Sequence, residues 1–391
     1  MEPELELQPS PYTPGSVAQV VYGRDALLTS ARRDLAFAKS FPKLKGQLEI
    51  YVGARGVGKT SLLRTIEADA LGLGFSTCWV TGGDGQLIDD LMRALINLSA
   101  NWKTKTKDAL ESIFSRLSVS VAGVSLEPGE RRALDRSGSG RLLQEALQQA
   151  GTHAPGAGLV LLIDEVQASD PDSLRSLAYA WQHLQSEASE LPLLCYCAGL
   201  SHTQDVITDA VSFGERFRYR QLGNLDPESA RLALLEPASA LGVAWADDAA
   251  EFALNIADGY PFFLQVVGDE TWQAAGYPAV GATIKQDDVG VAMAGFREVQ
   301  LAFFRSRWAK ASPLEQEFLS AMAQAAVGSG QARRADIAEL MGRTSQSLSV
   351  VRRALMDKGL IDSPAHGYTE FTAPGFAEYV RKEGGRRSSG I

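Results

Sequence analysis

Gln47–Leu71 reads QLEIYVGARGVGKTSLLRTIEADAL. A short β-prone run, QLEIYVG, meets a glycine-rich turn, after which Leu62, Leu63, Ile66 and Ala70 recur at helical spacing. Strand, loop and helix in that order place GARGVGKT, Gly53–Thr60, in the context that G-x-x-x-x-G-K-[ST] requires of a phosphate-binding loop. The chemistry follows from the residue types. Glycines allow the backbone N–H groups along Gly53, Ala54, Arg55, Gly56, Val57 and Gly58 to turn inward on phosphate oxygens. Lys59 adds a point charge, and the helix opening there, with Ser61 in its first turn, offers its positive dipole end to the anion. The hydroxyl of Thr60 then suits Mg²⁺.

Beyond this stretch, FSTCWV (Phe75–Val80) reads as a second strand, followed by a helix around Leu87–Leu98. LVLLI (Leu159–Ile163) is apolar throughout, as expected of a strand buried on both faces of a parallel sheet, and LPLLCYCA (Leu191–Ala198) is the next. Strands separated by helical stretches predict an α/β, doubly wound parallel-sheet P-loop core over residues 21–222. Asp164 ends the third strand at the carboxyl edge of that sheet, where a carboxylate can support Mg²⁺, and the adjacent Glu165 is the candidate base that orients water. An insertion is expected at about 103–140, with SVSVAGVSLE (Ser118–Glu127) alternating like a hairpin and DRSGSG following as a loop. After Asn224 the apolar spacing turns helical, predicting an all-α domain over residues 223–310. Residues 1–20, rich in Pro and Glu, read as a flexible tether, and residues 383–391 as a flexible tail.

Composition narrows the function classes. The chain has 391 residues, 45% hydrophobic and 22% charged, an ordinary globular balance. No apolar run is long enough for a membrane helix and the acidic, proline-broken start is unlike a signal peptide, so a cytoplasmic protein without membrane contact is expected. Cys78, Cys195 and Cys197 fall in apolar stretches without paired C-x-x-C spacing, and the 4 histidines are scattered, which excludes a disulfide framework and transition-metal chemistry. The net charge of −9 argues against indiscriminate nucleic-acid coating. Residues 331–387 depart from it, with 10 Lys and Arg against 7 Asp and Glu.

The loop and the Asp164-Glu165 pair resemble the AAA+ and STAND branches of the P-loop ATPases, most closely the origin-recognition-like and archaeal-type ATPases that carry a C-terminal winged helix. VYGRDALL, with Gly23 and Arg24, resembles the box that lines the adenine pocket in that family. LLCYCAGLSH is similar to the sensor-1 strand, whose polar end faces the γ-phosphate; Ser201 and His202 stand where the family has Asn. SFGERFRYRQL resembles the segment whose arginine reaches a neighbouring subunit's nucleotide, which makes Arg216 the candidate arginine finger, with Arg218 and Arg220 as alternatives. Gly259-Tyr260-Pro261 is similar to the G-x-P motif of STAND lids, in which the proline packs near adenine; otherwise Pro261 simply starts a helix. FFLQVVGDETWQ lacks the sensor-2 arginine of origin-recognition lids, which implies a slow switch. No N-K-x-D guanine motif follows the loop, so ATP or ADP is the expected nucleotide.

Ser312-Pro313-Leu314-Glu315 reads as a capping box opening a new domain over residues 311–382. ADIAELMG, a turn at Gly342, a helix from Ser345 and the hairpin GLIDSPAHGYTEFT follow in the order of a winged helix-turn-helix. If it reads duplex DNA, Ser345, Gln346, Ser347 and Arg353 lie nearest base edges, and Arg343, Arg352 and Lys358 contact phosphates. The resulting expectation is an Mg²⁺-dependent ATPase switch whose nucleotide state governs homo-oligomer assembly and DNA binding. The alternatives are a STAND-type signalling or adaptor protein whose winged helix contacts protein, and a nucleotide-sensing transcriptional regulator.

Overall fold

The computed structural model describes residues 7–44, 46–83, 87–102, 105–122, 136–326 and 330–388. The chain divides into two compact units, one comprising Arg24–Val52 with Lys59–Gln221, the other Gly53–Gly58 with Leu222 onward and the residues up to Gly23.

The first unit is α/β. Its elements are α1 (Asp25–Ser40), β1 (Glu49–Gly53), α2 (Lys59–Gly72), β2 (Ser76–Thr81), α3 (Leu87–Ser99), α4 (Thr106–Ala122), α5 (Arg136–His153), β3 (Leu159–Asp164), α6 (Pro171–Glu187), β4 (Leu193–Gly199), α7 (Thr203–Ala210) and β5 (Arg218–Leu222). The strands form a five-stranded sheet in the order β2-β3-β4-β1-β5. The ladders of β2 with β3, β3 with β4 and β4 with β1 are parallel, and their registers align Trp79, Leu162, Tyr196 and Glu49 in one row. Every residue of β3 and β4 is buried, as their unbroken apolar runs predict for strands covered on both faces. Each buried Leu, Ile or Val side chain contributes roughly 1.5–3 kcal/mol. The spacing seen in sequence places Leu62, Leu63, Ile66 and Ala70 on the buried side of α2.

The expected insertion takes a different form. Ser118–Ala122 closes the helix α4 instead of opening a hairpin, and Arg136–Gly140 opens α5 instead of forming a loop, while residues 123–135 lie outside the described part. Leu110, Ile113 and Leu117 of α4 and Leu143 and Leu147 of α5 join the main core, so burial at helical spacing overrides the alternation around Ala122-Gly123.

The second unit is mainly helical. It contains α8 (Pro227–Ala240), β6 (Ala244–Trp245), α9 (Asp247–Ala257), α10 (Pro261–Ala274), β7 (Thr283–Ile284), α11 (Gln286–Ala309), α12 (Pro313–Ala325), β8 (Gln331–Arg333), α13 (Arg334–Leu340), α14 (Ser349–Asp357), β9 (Ile361–Asp362), β10 (Tyr368–Phe371) and α15 (Phe376–Ser388). β6 and β7 pair in parallel, and β8, β10 and β9 form an antiparallel sheet with β10 in the centre. The capping box at Ser312 and Glu315 forms as the sequence predicts.

Several boundaries move. The expected break at residue 310 falls inside this unit, because the last turns of α11 pack into the C-terminal elements: the Phe304 ring lies 5.4 Å from Phe376 and 5.6 Å from Tyr379. The expected tether is also corrected. Tyr12 is 2% exposed, its hydroxyl donates to the Leu234 carbonyl, and it accepts from Trp245 Nε1 at 3.0 Å. Trp272 Nε1 donates to the Gln8 carbonyl at 2.9 Å, so aromatic rings with polar tips dock a proline-rich segment that carries no periodicity of its own. The expected tail is helical up to Ser388, as the end of α15. Among the described residues no helix is long and apolar enough to cross a membrane.

Candidate functional site

The chemistry gathers at the carboxyl end of β3. Asp164 is only 6% exposed there, and both of its carboxylate oxygens are engaged. Oδ2 accepts from the Thr60 hydroxyl at 2.7 Å, and Oδ1 accepts from the Glu165 backbone N–H at 2.9 Å. Thr60 sits in the first turn of α2, so the last residue of the glycine-rich loop and the end of β3 meet as the spacing of the two motifs requires. A hydroxyl and a carboxylate side by side are hard oxygen donors, which fits Mg²⁺. Lys59, next to Thr60, is buried.

Glu165 follows in a left-handed conformation, φ 49°, that turns the chain sharply out of the strand. Its carboxylate accepts from Gln167 Nε2 at 2.6 Å, while the Gln167 carbonyl oxygen accepts from the Leu200 N–H at 3.0 Å. Gln167 thus links the candidate base to the end of β4, where Ser201 is half-buried and His202 is buried ahead of α7. Sequence reading missed Gln167; its signal was a polar amide just past Asp164-Glu165.

The candidate arginines separate by geometry. Glu49 is 2% exposed, and Arg220 Nε donates to it at 3.0 Å while Arg218 Nη1 lies 3.5 Å away. Those two guanidinium groups neutralise a buried carboxylate. Arg216, in a short turn before β5, has an exposed side chain with no ion pair among the described residues, and its carbonyl accepts from Gln47 Nε2 at 2.9 Å.

In the other unit, Gly56 and Gly58 of the loop have φ of 84° and 91°, the left-handed region that admits glycine freely. The Tyr260 hydroxyl donates to the Arg55 carbonyl. Pro261 occupies the first turn of α10, and the tyrosine before it is the residue of the Gly-Tyr-Pro motif whose hydroxyl reaches the loop. Burial pushes the Tyr260 hydroxyl above its ordinary pKa, against the pull of Arg307. Gly23 is also left-handed, φ 66°; Arg24, ahead of α1, is buried.

The C-terminal residues are only partly gathered. Regular helix begins at Ser349, so Ser345, Gln346 and Ser347 lie in the preceding turn and not on a helix from Ser345: the Thr344 hydroxyl accepts from the Ser347 N–H at 3.2 Å and holds that turn. Lys358 is paired with the buried Glu315 carboxylate, and Arg353 lies 3.4 Å from Asp357. Arg343 is exposed and does not line the groove that lies in this module. That groove, of about 550 Å³, is lined by Arg333, Arg334, Arg352 and His366 together with Ser345, Gln346, Ser349 and Tyr368. Arg333 and Arg334 were not singled out in sequence because they come from β8 and the start of α13, remote from the other arginines along the chain.

Residues 21–195 match the AAA ATPase domain family, and residues 301–380 match a domain family of unknown function. No curated protein matches the sequence. The fold is similar to the Walker-type ATPase of Pyrococcus abyssi, at 18% identity over 94% of this chain and 98% of that one, with a TM-score of 0.56. It is also similar to Cdc6p from Pyrobaculum aerophilum, at 15% identity over 96% of this chain and 98% of that one, with a TM-score of 0.51. Residues 21–195 thus match an AAA ATPase domain, and the wider chain has a fold similar to that of these two proteins.

Proposed function

We propose that the protein is an Mg²⁺-ATP-binding and hydrolysing switch whose nucleotide state governs self-assembly and contact with duplex DNA. The observation that carries the reading is the 2.7 Å hydrogen bond between Thr60 and Asp164, which brings together the two oxygen donors such a site needs. Lys59 and the backbone of Gly53–Gly58 bind the phosphates, and Gly23, Arg24, Ser61 and Pro261 complete the nucleotide's surroundings. Thr60 and Asp164 would hold Mg²⁺, which when bound neutralises charge on the phosphate oxygens. Glu165 orients the attacking water, Gln167 holds Glu165 in place, and Ser201 and His202 stand at the end of β4 as polar sensors. Arg216 is the one arginine of its segment left exposed, which supports a role at a neighbouring copy's nucleotide.

Three helices (α12, α13, α14) and the β8-β10-β9 sheet support a winged helix reading of the C-terminal module. The groove of Arg333, Arg334 and Arg352, with Ser345 and Gln346 in its lining, supports a phosphate backbone as its ligand, and Arg343 and Ser347 are exposed next to those two in the chain. The pairing of Lys358 with Glu315 takes that lysine out of the contact set and favours a second reading, a signalling or adaptor protein whose module binds protein.

The test is ATP turnover by the wild type and Lys59→Ala, with and without duplex DNA, at low and high salt and over a range of protein concentrations. Turnover that rises with DNA and with protein concentration, is lost in Lys59→Ala, and loses its concentration dependence in Arg216→Ala supports the switch. Turnover indifferent to DNA, with no DNA binding at low salt, transfers the module to the adaptor reading.

A further inference from the structure

Arg307 is an arginine without a place in the site described above, yet it is 7% exposed. Its Nη1 donates to the Gly359 carbonyl at 3.2 Å and to the Thr372 hydroxyl at 3.0 Å, and Thr372 in turn donates to Gly359 at 2.8 Å. The guanidinium lies 4.1 Å over the Phe303 ring. Burial pulls the Arg307 pKa down; the Tyr260 hydroxyl facing it favours its charge, and the Arg55 guanidinium opposes it. A buried cation without a carboxylate partner among the described residues is expensive, so its retention asks for a purpose.

Tyr260 is fully buried, edge-to-face with Phe263 at 4.9 Å, and its hydroxyl reaches the Arg55 carbonyl. The side chain of Arg55 meanwhile runs beside Gly359, with Nε 3.1 Å from where a Cβ there would stand. Arg55, Tyr260, Arg307 and Gly359 therefore form a closed circuit between the phosphate loop, the start of α10, the end of α11 and the turn after α14. The peptide joining Arg55 to Gly56 is planar and trans, so its C=O and N–H point in opposite directions. Holding the Arg55 carbonyl on Tyr260 fixes the direction of the Gly56 N–H, one of the groups a phosphate would meet.

We propose that Tyr260 and Arg307 are positioning residues that hold the phosphate loop in its binding conformation and couple it to Gly359–Thr372 of the C-terminal module. The proposal rests on the nucleotide-binding reading above. Its consequence is reciprocal: nucleotide on the loop steadies Gly359–Thr372, and anything that shifts Gly359–Thr372 changes nucleotide affinity by the same factor. A tyrosine that merely filled space would carry no such link.

The experiment titrates full-length wild type, Tyr260→Phe, Arg307→Met and Arg307→Lys with a fluorescent ADP. Amide hydrogen exchange over residues 355–372 is followed with and without ADP, and thermal unfolding is recorded alongside. Tyr260→Phe removes one oxygen and is expected to weaken ADP binding about three- to tenfold, the range for one net hydrogen bond, and to abolish the ADP-dependent protection of 355–372. Arg307→Met, which leaves the hydrogen bond from Tyr260 to the loop in place, is expected to weaken binding in the same direction, with Arg307→Lys recovering part of it. Wild-type affinity and wild-type protection in Tyr260→Phe overturn the proposal even if Arg307→Met fails to fold. A lowered unfolding temperature with unchanged affinity overturns it too, as it would mark a purely structural role. If wild type itself binds no ADP, the nucleotide reading fails first and takes this inference with it.

Discussion

At the end of β3 the polar groups are tied to one another by hydrogen bonds, whereas the groove beside α14 presents exposed and half-buried cations. Asp164 has both oxygens hydrogen-bonded and Glu165 is tied to Gln167. In the groove Arg333 and His366 are exposed and Arg352 half-buried, while Arg334 is bonded to Ser363. Fixed dipoles suit chemistry, since a group already oriented needs no rearrangement as charge develops. Long cationic side chains suit a phosphate backbone, where attraction is spread over many oxygens and registration is loose. The contrast predicts that substitutions at the first region act steeply and those at the second gradually.

The steepest effect is expected at Glu165. Gln is nearly isosteric and leaves the fold intact, but it cannot take a proton from water, so Glu165→Gln should lower ATP turnover by about a hundred- to ten-thousandfold while retaining ATP binding. A turnover assay paired with a binding titration checks it. Equal loss of binding and turnover would instead make Glu165 part of the metal or phosphate set. Gln167→Ala comes next. It frees the Glu165 carboxylate and leaves the Leu200 N–H without its partner, and a hydrogen bond to a charged group contributes roughly 1.5–3 kcal/mol. Turnover should fall about tenfold or more at saturating ATP with little change in KM. A KM effect alone would show that Gln167 acts on binding.

The same division explains what could be read in the sequence. Gly56, Gly58, Lys59, Thr60 and Asp164 were legible because each residue type is dictated by a backbone or charge requirement at fixed spacing, and an unbroken apolar run such as Leu159–Ile163 has few ways to fold. The docking of Tyr12 between Trp245 and Trp272 was not, since a proline-rich segment has no period and its partners lie more than two hundred residues away. The α4–α5 region was misread because alternation around Ala122-Gly123 imitates a strand, a short-range signal that core burial overrode. Arg333 and Arg334, from β8 and the start of α13, meet Arg352 of α14 only in the folded groove. Glu49, read merely as one residue of a strand, turned out to hold two of the three candidate arginines.

The gradual end of the comparison is tested at Arg352 and Arg333. On the DNA reading each neutralises about one phosphate, and each phosphate contact contributes roughly 0.9 to the slope of log affinity against log salt. Arg352→Ala and Arg333→Ala should therefore each weaken duplex binding a few-fold, to a similar degree for unrelated sequences, and flatten the salt slope by about one. Turnover without DNA should stay at the wild-type value in both. A double variant should flatten the slope by about two, because the side chains reach separate phosphates and do not share one. A loss confined to one DNA sequence would move Arg352 from backbone to base contact, while an unchanged slope would remove the groove from the DNA surface and leave it to a protein partner.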